Sequence, residues 1–237
     1  MDVRQWGKYL GISAIVIGLA GAAEPARAVP IFIGEGQIAG TALDGSGLTG
    51  LLEDGVTPHN LAGGFGSAMT YTGSGTSYIM VPDRGPADGT TTYQDRMYTV
   101  DIGVTQNGGP NSFNFTITPS ITDTKMLVNE TLQNFTGSSA AFATGLRYDP
   151  EGVAVHGNDV YISDEYGPYI NKFDRTTGQR TGVINVPSKF GIANPSATGT
   201  FELPPVSGDP NFPSPGNTSG RQANRGMEGL TISPDGT

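Results

Sequence analysis

The stretch that decides the fold is residues 151–187, EGVAVHGNDVYISDEYGPYINKFDRTTGQRTGVINVP. Four runs rich in β-forming residues lie within it, at 153–155, 160–162, 170–173 and 182–186. Turn sequences separate the first pair of runs (HGND, 156–159) and the last pair (DRTTG, 174–178). Four short strands in series within about 40 residues predict a four-stranded antiparallel sheet, which is the size of one β-propeller blade.

Strand and loop signals also alternate outside this stretch. β-Forming or alternating residues predict strands at 77–81, 97–102 and 113–117. Long stretches of polar residues, glycine and proline predict loops at 103–112, 188–200 and 204–225. Residues 122–134 are a candidate helix, although their apolar residues are poorly spaced for one.

A weak internal repeat favours an architecture of repeated sheets. Residues 150–155 (PEGVAV) resemble residues 227–232 (MEGLTI), and the two Glu-Gly pairs lie 77 residues apart. The chain stops at Thr237, just after the turn sequence SPDG (233–236), which leaves the strand expected at 230–232 without a hairpin partner. The sequence therefore predicts an all-β fold of β-propeller-like, four-stranded antiparallel sheets, incomplete because the chain is truncated at its C-terminus.

The composition excludes several classes of chemistry. The formal net charge of −9 opposes nucleic-acid binding, which requires a basic face. The chain has no cysteine, which removes disulfides, thiolate nucleophiles and cysteine-ligated zinc. No G-x-S-x-G elbow is present, and residues 64–67 (GFGS) predict only a glycine-rich loop, so a serine hydrolase is not indicated.

The N-terminal 28 residues predict a secretory signal peptide. Arg4 and Lys8 form a basic start, residues 10–23 are apolar, and Ala26-Arg27-Ala28 is a small-residue cleavage site. The apolar run is short for a bilayer span, although an uncleaved anchor is the alternative. Since no second apolar stretch qualifies as a span, we expect a protein that is secreted, periplasmic or on the cell surface, with its domain at 29–237.

Four short motifs carry a resemblance to a known family. They are DRGP (83–86), DPEGVA (149–154), SDEYGP (163–168) and NRGMEGL (224–230). In this order, and behind a signal peptide, they resemble the signature of the phytase-like domain, also called the esterase-like activity of phytase family, over residues 35–237. The resemblance implies a partial phytase-like β-propeller domain at 29–237, export, and a phosphatase or esterase activity.

Five carboxylates are the candidate metal ligands: Glu151, Asp164, Glu165, Glu228 and Asp83. Glu151 and Glu228 precede strands that would begin blades and line a central channel, so we expect them to converge, and with Asp164 they are the candidate catalytic residues. Gathered carboxylates require protons or cations, and calcium prefers hard oxygen ligands, so Ca²⁺ is the expected cofactor. The alternative is that these acids accept hydrogen bonds from backbone amides between blades.

Three further residues are candidates for substrate binding: Arg84, Arg225 and Tyr166. A guanidinium can grip phosphate or carboxylate in a forked pair, and both arginines are followed by glycine. Alternatively, each arginine pairs with a carboxylate of a neighbouring blade, for instance Arg225 with Glu228. Tyr166 could stack on a sugar ring or, as aromatic residues usually do, fill space between blades.

The function predicted from these residues is metal-assisted hydrolysis of small-molecule phosphate or related esters by an exported protein. A lactonase-like propeller hydrolase is one alternative, since such enzymes also hold a divalent cation with acidic groups. A non-catalytic, calcium- or ligand-binding propeller at the cell surface is another, and the polar stretch at 188–225 suits it. The sequence does not predict an oligomeric state.

Overall fold

The alternating turns and β-forming runs of the sequence fold into two antiparallel sheets. The computed structural model describes residues 31–86, 89–138, 141, 144–190, 226–233 and 235. The predicted signal peptide at 1–28 and Arg225 lie outside these residues, as do most of the predicted loops at 188–200 and 204–225. The chain divides into two units, 1–32 and 33–237, and every element below belongs to the second.

The first sheet contains four strands in sequence order: β1 (Phe65–Tyr71), β2 (Ser77–Pro82), β3 (Arg96–Asn107) and β4 (Asn114–Met126). Each strand pairs antiparallel with the next. Three expectations were wrong here. The GFGS segment opens β1 at Phe65, β3 continues through 103–107, and 122–126 is strand and not helix. In β4 alternate residues are exposed, and such a two-stranded ribbon tolerates the polar threonines that disguised it.

The second sheet confirms the four strands predicted from residues 151–187. It consists of β5 (Pro150–His156), β6 (Asp159–Asp164), β7 (Tyr169–Asp174) and β8 (Arg180–Ile184), again antiparallel and in sequence order. Gly157, at φ 61°, supplies the left-handed residue in the β5–β6 turn.

The fold is thus all-β over the described residues, where helical conformation is confined to 3₁₀ turns, at Ala141, at Thr144 and at Ser188–Phe190. None of the helices described is long and apolar enough to cross a bilayer. The described sheets do not form a closed ring, so the β-propeller architecture stays a prediction.

The main core lies where the two sheets meet, because β1 and β2 pack against β5. Its centre is an aromatic cluster in which Phe135 lies 5.2 Å from Tyr148 and 5.9 Å from Phe173, measured between ring centroids. Aliphatic residues from both sheets surround these rings: Ile79, Val81, Val153, Val160 and Ile162. The segment between the sheets contributes two of the three rings and hydrogen-bonds to sheet 2 where Val128 pairs with Gln179.

A buried ion pair fixes the preceding loop on the first sheet. The Arg96 guanidinium is fully buried, donates to Asp44 at 2.5 Å and to the His59 carbonyl at 3.0 Å, and stacks on Tyr93. Since a buried guanidinium requires such partners, this network ties residues 44–59 to the start of β3.

Replacing Phe173 by alanine is expected to lower the free energy of unfolding by about 3–5 kcal/mol, because its ring is fully buried against Phe135 and Tyr148. The matched control is Phe113→Ala, at a ring that is 70% exposed, which should change stability by about 0.5 kcal/mol or less. Urea unfolding followed by circular dichroism measures both. Equal losses in the two variants would contradict the position of the core.

Candidate functional site

The candidate site lies where the ends of the two sheets approach each other. Asp83 and Arg84 directly follow β2, Asp149 directly precedes β5, and Glu151 is the second residue of β5. The first strand of each sheet carries a register shift at this end, between Phe65 and Ala68 in β1 and between Pro150 and Val153 in β5. Because β1 and β2 pack against β5, acids far apart in sequence are brought together.

Three carboxylates form the centre of the site. One oxygen from each of Asp83, Asp149 and Glu151 lies within 4.8 Å of the others. Asp149 is fully buried and neither of its carboxylate oxygens has a hydrogen-bond partner. The Asp83 side chain is 41% exposed and Glu151 is half-buried, so the cluster is closed behind Asp149 and open to solvent beside Asp83.

Arg84 is the cation that faces this cluster. Its guanidinium lies 3.3 Å from Asp149, 3.3 Å from Asp83 and 3.6 Å from Glu165, and its side chain is 10% exposed. The backbone N–H of Arg84 also donates to the Asp83 carboxylate. This arrangement is the arginine–carboxylate pairing considered above as the alternative, and the predicted grip of Arg84 on a substrate stays a prediction. One positive charge among several carboxylates leaves the site electrostatically negative.

The excess of negative charge shifts the protonation of two acids. Burial raises the pKa of Asp149 well above its ordinary value, the neighbouring Asp83 raises it further, and Arg84 opposes the shift. Burial also raises the pKa of Glu151 to about 7, and the charges of Asp83, Glu165 and Glu228 act in the same direction. Protons or a cation are therefore needed to balance the cluster at neutral pH.

Asp164 and Glu165 are buried and have protein partners. Asp164 accepts hydrogen bonds from the backbone N–H groups of Asp149, at 3.1 Å, and Tyr166, at 3.0 Å. This is the amide-binding role considered above as the alternative to metal ligation. Glu165 pairs with Arg84, and its own N–H donates to the Asp149 carbonyl at 2.9 Å. Both acids thus hold Asp149 in place from behind, and catalytic or metal-binding roles for them stay predictions.

Tyr166 packs between arginines and does not face open solvent. The Arg147 guanidinium lies over its ring at 3.8 Å from the centroid, and that of Arg84 lies at 5.6 Å. The Tyr166 hydroxyl donates to the Gly137 carbonyl at 3.0 Å. The observed contacts fit the packing alternative, and a substrate-binding role for Tyr166 stays a prediction.

The second Glu-Gly segment lies beside the first. The Ser163 hydroxyl accepts a hydrogen bond from the Gly152 N–H at 2.8 Å and donates one to the Met227 carbonyl at 2.7 Å. This bridge holds exposed Glu228 close enough for its charge to raise the pKa of Glu151. That the two glutamates line one central channel stays a prediction, and Arg225 lies outside the described residues.

Glycines permit this close approach. A Cβ atom at Gly152 would lie 2.8 Å from the Leu230 backbone nitrogen, and one at Gly226 would lie 2.3 Å from the Glu165 carbonyl oxygen. Both distances are too short for any side chain, so glycine is a packing requirement at Gly152 and at Gly226.

Two buried acids near the site escaped the sequence analysis. Asp149 stands in the motif DPEGVA, but its position before a strand gave no sign that it would be enclosed. Asp95 is fully buried with no hydrogen-bond partner for either oxygen, and burial raises its pKa well above the ordinary value, although Arg96 opposes the shift. The signal available in the sequence was an aspartate beside an arginine or a proline, which is common on surfaces.

The triad suits a hard cation. Asp83, Asp149 and Glu151 offer only carboxylate oxygens, which calcium and similar cations prefer. Asp149 has an ion-pair partner in Arg84, but neither of its carboxylate oxygens accepts a hydrogen bond, and a cation would supply the missing contact. Two predicted ligands, Asp83 and Glu151, are thus members of the triad, which also includes Asp149.

The raised pKa of Glu151 has a consequence for the cation-free protein. Its pKa is 4.5 ordinarily and about 7 in the fold, so between these values the native state retains a proton that the unfolded chain has released. Stability from this group is present below the ordinary pKa and is lost as the pH rises through the native one.

We therefore expect the free energy of unfolding of Glu151→Gln, measured relative to wild type, to increase as the pH is raised from about 5 to about 8. Urea unfolding in chelator at both pH values measures the difference. The control Glu35→Gln, at an exposed acid, should show a difference that is independent of pH. A constant difference for Glu151→Gln as well would contradict the raised pKa.

Removal of the Ser163 hydroxyl should cost about 1–3 kcal/mol, because Ser163→Ala leaves the Gly152 N–H and the Met227 carbonyl without their partner. Equilibrium unfolding measures the loss. Ser74→Ala, at an exposed turn, is the control and should cost about 0.5 kcal/mol or less. Comparable values for the two variants would show that the bridge does not hold the Glu228 segment.

Comparison with known proteins places this site in a family. A family model described as phytase-like, esterase-like activity of phytase, matches residues 60–237. An uncharacterized secreted protein of Arthroderma benhamiae is 28% identical over 247 residues, which cover 79% of this chain and 46% of the relative. The chain thus spans about half the length of that relative, and no solved structure matches it. Because the family model covers most of the chain, including the triad and both Glu-Gly segments, the chain belongs to the phytase-like family.

Proposed function

We propose that this chain is an exported hydrolase of phosphate or related esters that is assisted by a divalent cation, most simply Ca²⁺. The observation that carries the proposal is the convergence of Asp83, Asp149 and Glu151 on one point, with the Asp149 oxygens buried and without hydrogen bonds. The predicted signal peptide and the secreted relative support export. Membership of a family described by its esterase-like activity supports hydrolysis.

The three carboxylates would hold the cation from the protein side. Arg84 and the backbone contacts of Asp164 fix the buried Asp149 in one position, so the back of the site is rigid and closed to water. Asp83 and Glu151 are more exposed, and the ester must approach from their side. When bound, a divalent cation polarises an ester oxygen and makes water a better nucleophile.

Proton transfer falls to an acid outside the triad. Glu228 is exposed beside Glu151, and among the described residues it has no hydrogen-bonding or ion-pair partner. We assign to it the role of general base, which would accept a proton from the attacking water. The Ser163 bridge, by holding the Met227 carbonyl, would set the reach of this side chain.

The test is hydrolysis of p-nitrophenyl phosphate and p-nitrophenyl acetate by the purified chain, with and without a chelator. We expect turnover of at least one ester to be lost on chelation and restored by Ca²⁺. Glu151→Gln should weaken Ca²⁺ binding, measured by calorimetry, by about tenfold or more, because a ligand charge is removed.

Two variants separate the parts of the proposal. Glu228→Gln should lower kcat by about a hundredfold while Ca²⁺ affinity changes little, as expected for a base that is not a ligand. Glu35→Gln should leave both quantities unchanged, since this acid is exposed and far along the chain from the triad. Turnover that persists undiminished in chelator and in Glu151→Gln would refute the metal-assisted mechanism. Ca²⁺ binding without turnover of either ester would refute the hydrolase assignment.

A further inference from the structure

A cavity lies apart from the carboxylate triad, between strands β7 and β8 of the second sheet and the segment that connects the two sheets. Its volume is about 50 Å³, which is room for roughly three or four waters or one small ion. Six of its lining residues carry the argument: Phe135, Arg147, Tyr148, Asn171, Arg180 and Val183. The cavity therefore combines two guanidinium groups with aromatic and aliphatic walls.

Arg147 is a buried cation without an acidic partner. The residue is 7% exposed, its Nε donates to the Gly137 carbonyl at 3.4 Å, and its guanidinium stacks on Tyr166 at 3.8 Å. No carboxylate of the described residues forms an ion pair with it. Arg84 and Arg96, which are also buried, both pair with carboxylates. Burial of an unpaired charge is costly, and an anion bound on the cavity side of Arg147 would lower that cost.

The second guanidinium, that of Arg180, has one nitrogen that makes only a long hydrogen bond. Arg180 holds Glu130 through Nε at 2.9 Å and Nη2 at 2.8 Å, whereas its Nη1 makes only a long contact of 3.4 Å with the Asn171 side-chain oxygen. Asn171 is itself buried in β7. The Nη1 donor of Arg180 and the Asn171 amide therefore lie at the cavity beside Arg147 as further polar groups that can contact a ligand.

One acid also lines the cavity, and its contacts limit its effect there. Asp164 accepts hydrogen bonds through one oxygen from the N–H groups of Asp149 and Tyr166. Its charge is thus partly satisfied by two backbone dipoles on the side of the triad. Because Asp164 remains an acid in the wall, a singly charged ligand suits the cavity better than a highly charged one.

We propose that this cavity is a binding site for one small oxyanion, a carboxylate or a phosphate, that pairs with the Arg147 guanidinium. A guanidinium presents two parallel N–H donors that match the two oxygens of either group. Phe135, Tyr148 and Val183 would surround the rest of the ligand, which a short organic acid can fill with its alkyl part. The proposal does not depend on the hydrolase function, since the triad and the cation take no part in it.

The test is calorimetric titration of the purified chain with acetate, and separately with inorganic phosphate, at constant ionic strength. A chelator is present throughout, so that no anion binds through a cation at the triad. We expect saturable binding of one equivalent of at least one anion. Arg147→Met should weaken it by at least about tenfold, which corresponds to the loss of a charge-assisted hydrogen-bonded pair.

Two further variants complete the test. Arg175→Met makes the same chemical change in the β7–β8 turn, away from the cavity, and should leave binding unchanged. Val183→Trp keeps every charge but fills the cavity at a position that is 47% exposed, so it should abolish binding and still fold, as circular dichroism would verify. If Arg147→Met does not fold, the comparison of Val183→Trp with wild type decides.

The outcomes separate the candidate ligands. Binding of acetate alone would assign the site to carboxylates, and binding of phosphate alone would assign it to phosphates. Failure of wild type to take up either anion saturably would overturn the proposal, as would binding that survives in both Arg147→Met and Val183→Trp.

Discussion

The structure around the candidate site depends on the pairing of one buried guanidinium with the carboxylates at the ends of two sheets. Arg84 contacts Asp149 and Glu165, which belong to the second sheet, from its own position at the end of β2. This pairing offsets part of the cost of burying Asp149, but a single positive charge does not balance the surrounding acids. Burial raises the pKa values of Asp149 and Glu151, and the surrounding acids raise them further.

The two sheets place their acids by the same geometry. In each, the first strand has a register shift near its start, and the loop after the second strand carries an acid or an arginine toward the neighbouring sheet. The segment at 226–230 approaches β5 and β6 in turn through Ser163 and Gly152. The ends of both sheets thus contribute charged residues to one shared site.

Sequence reasoning predicted the second sheet almost strand by strand, because alternation and turn residues act over a few neighbours. It was wrong for β1, whose glycines suggested a loop, and for the ends of β3 and β4, whose polar residues are tolerated in an exposed ribbon. Among the site residues it identified Asp83 and Glu151 but not Asp149, since nothing beside an aspartate in the chain reveals whether it will be enclosed. It also did not anticipate the buried Arg147 or the cavity it lines.

The sequence by itself determined the all-β class, the strands of β5 to β8 and the family, because local periodicity and short motifs carry that information. Only the tertiary structure decided which carboxylates meet, since residues 83 and 149 are joined by the packing of β2 on β5 and not by spacing. It also decided that the Asp164 carboxylate accepts backbone N–H groups whereas the Asp149 carboxylate accepts no hydrogen bond. The physical reason is that burial and charge pairing, which set the protonation and the ligands of an acid, arise from residues distant in the chain.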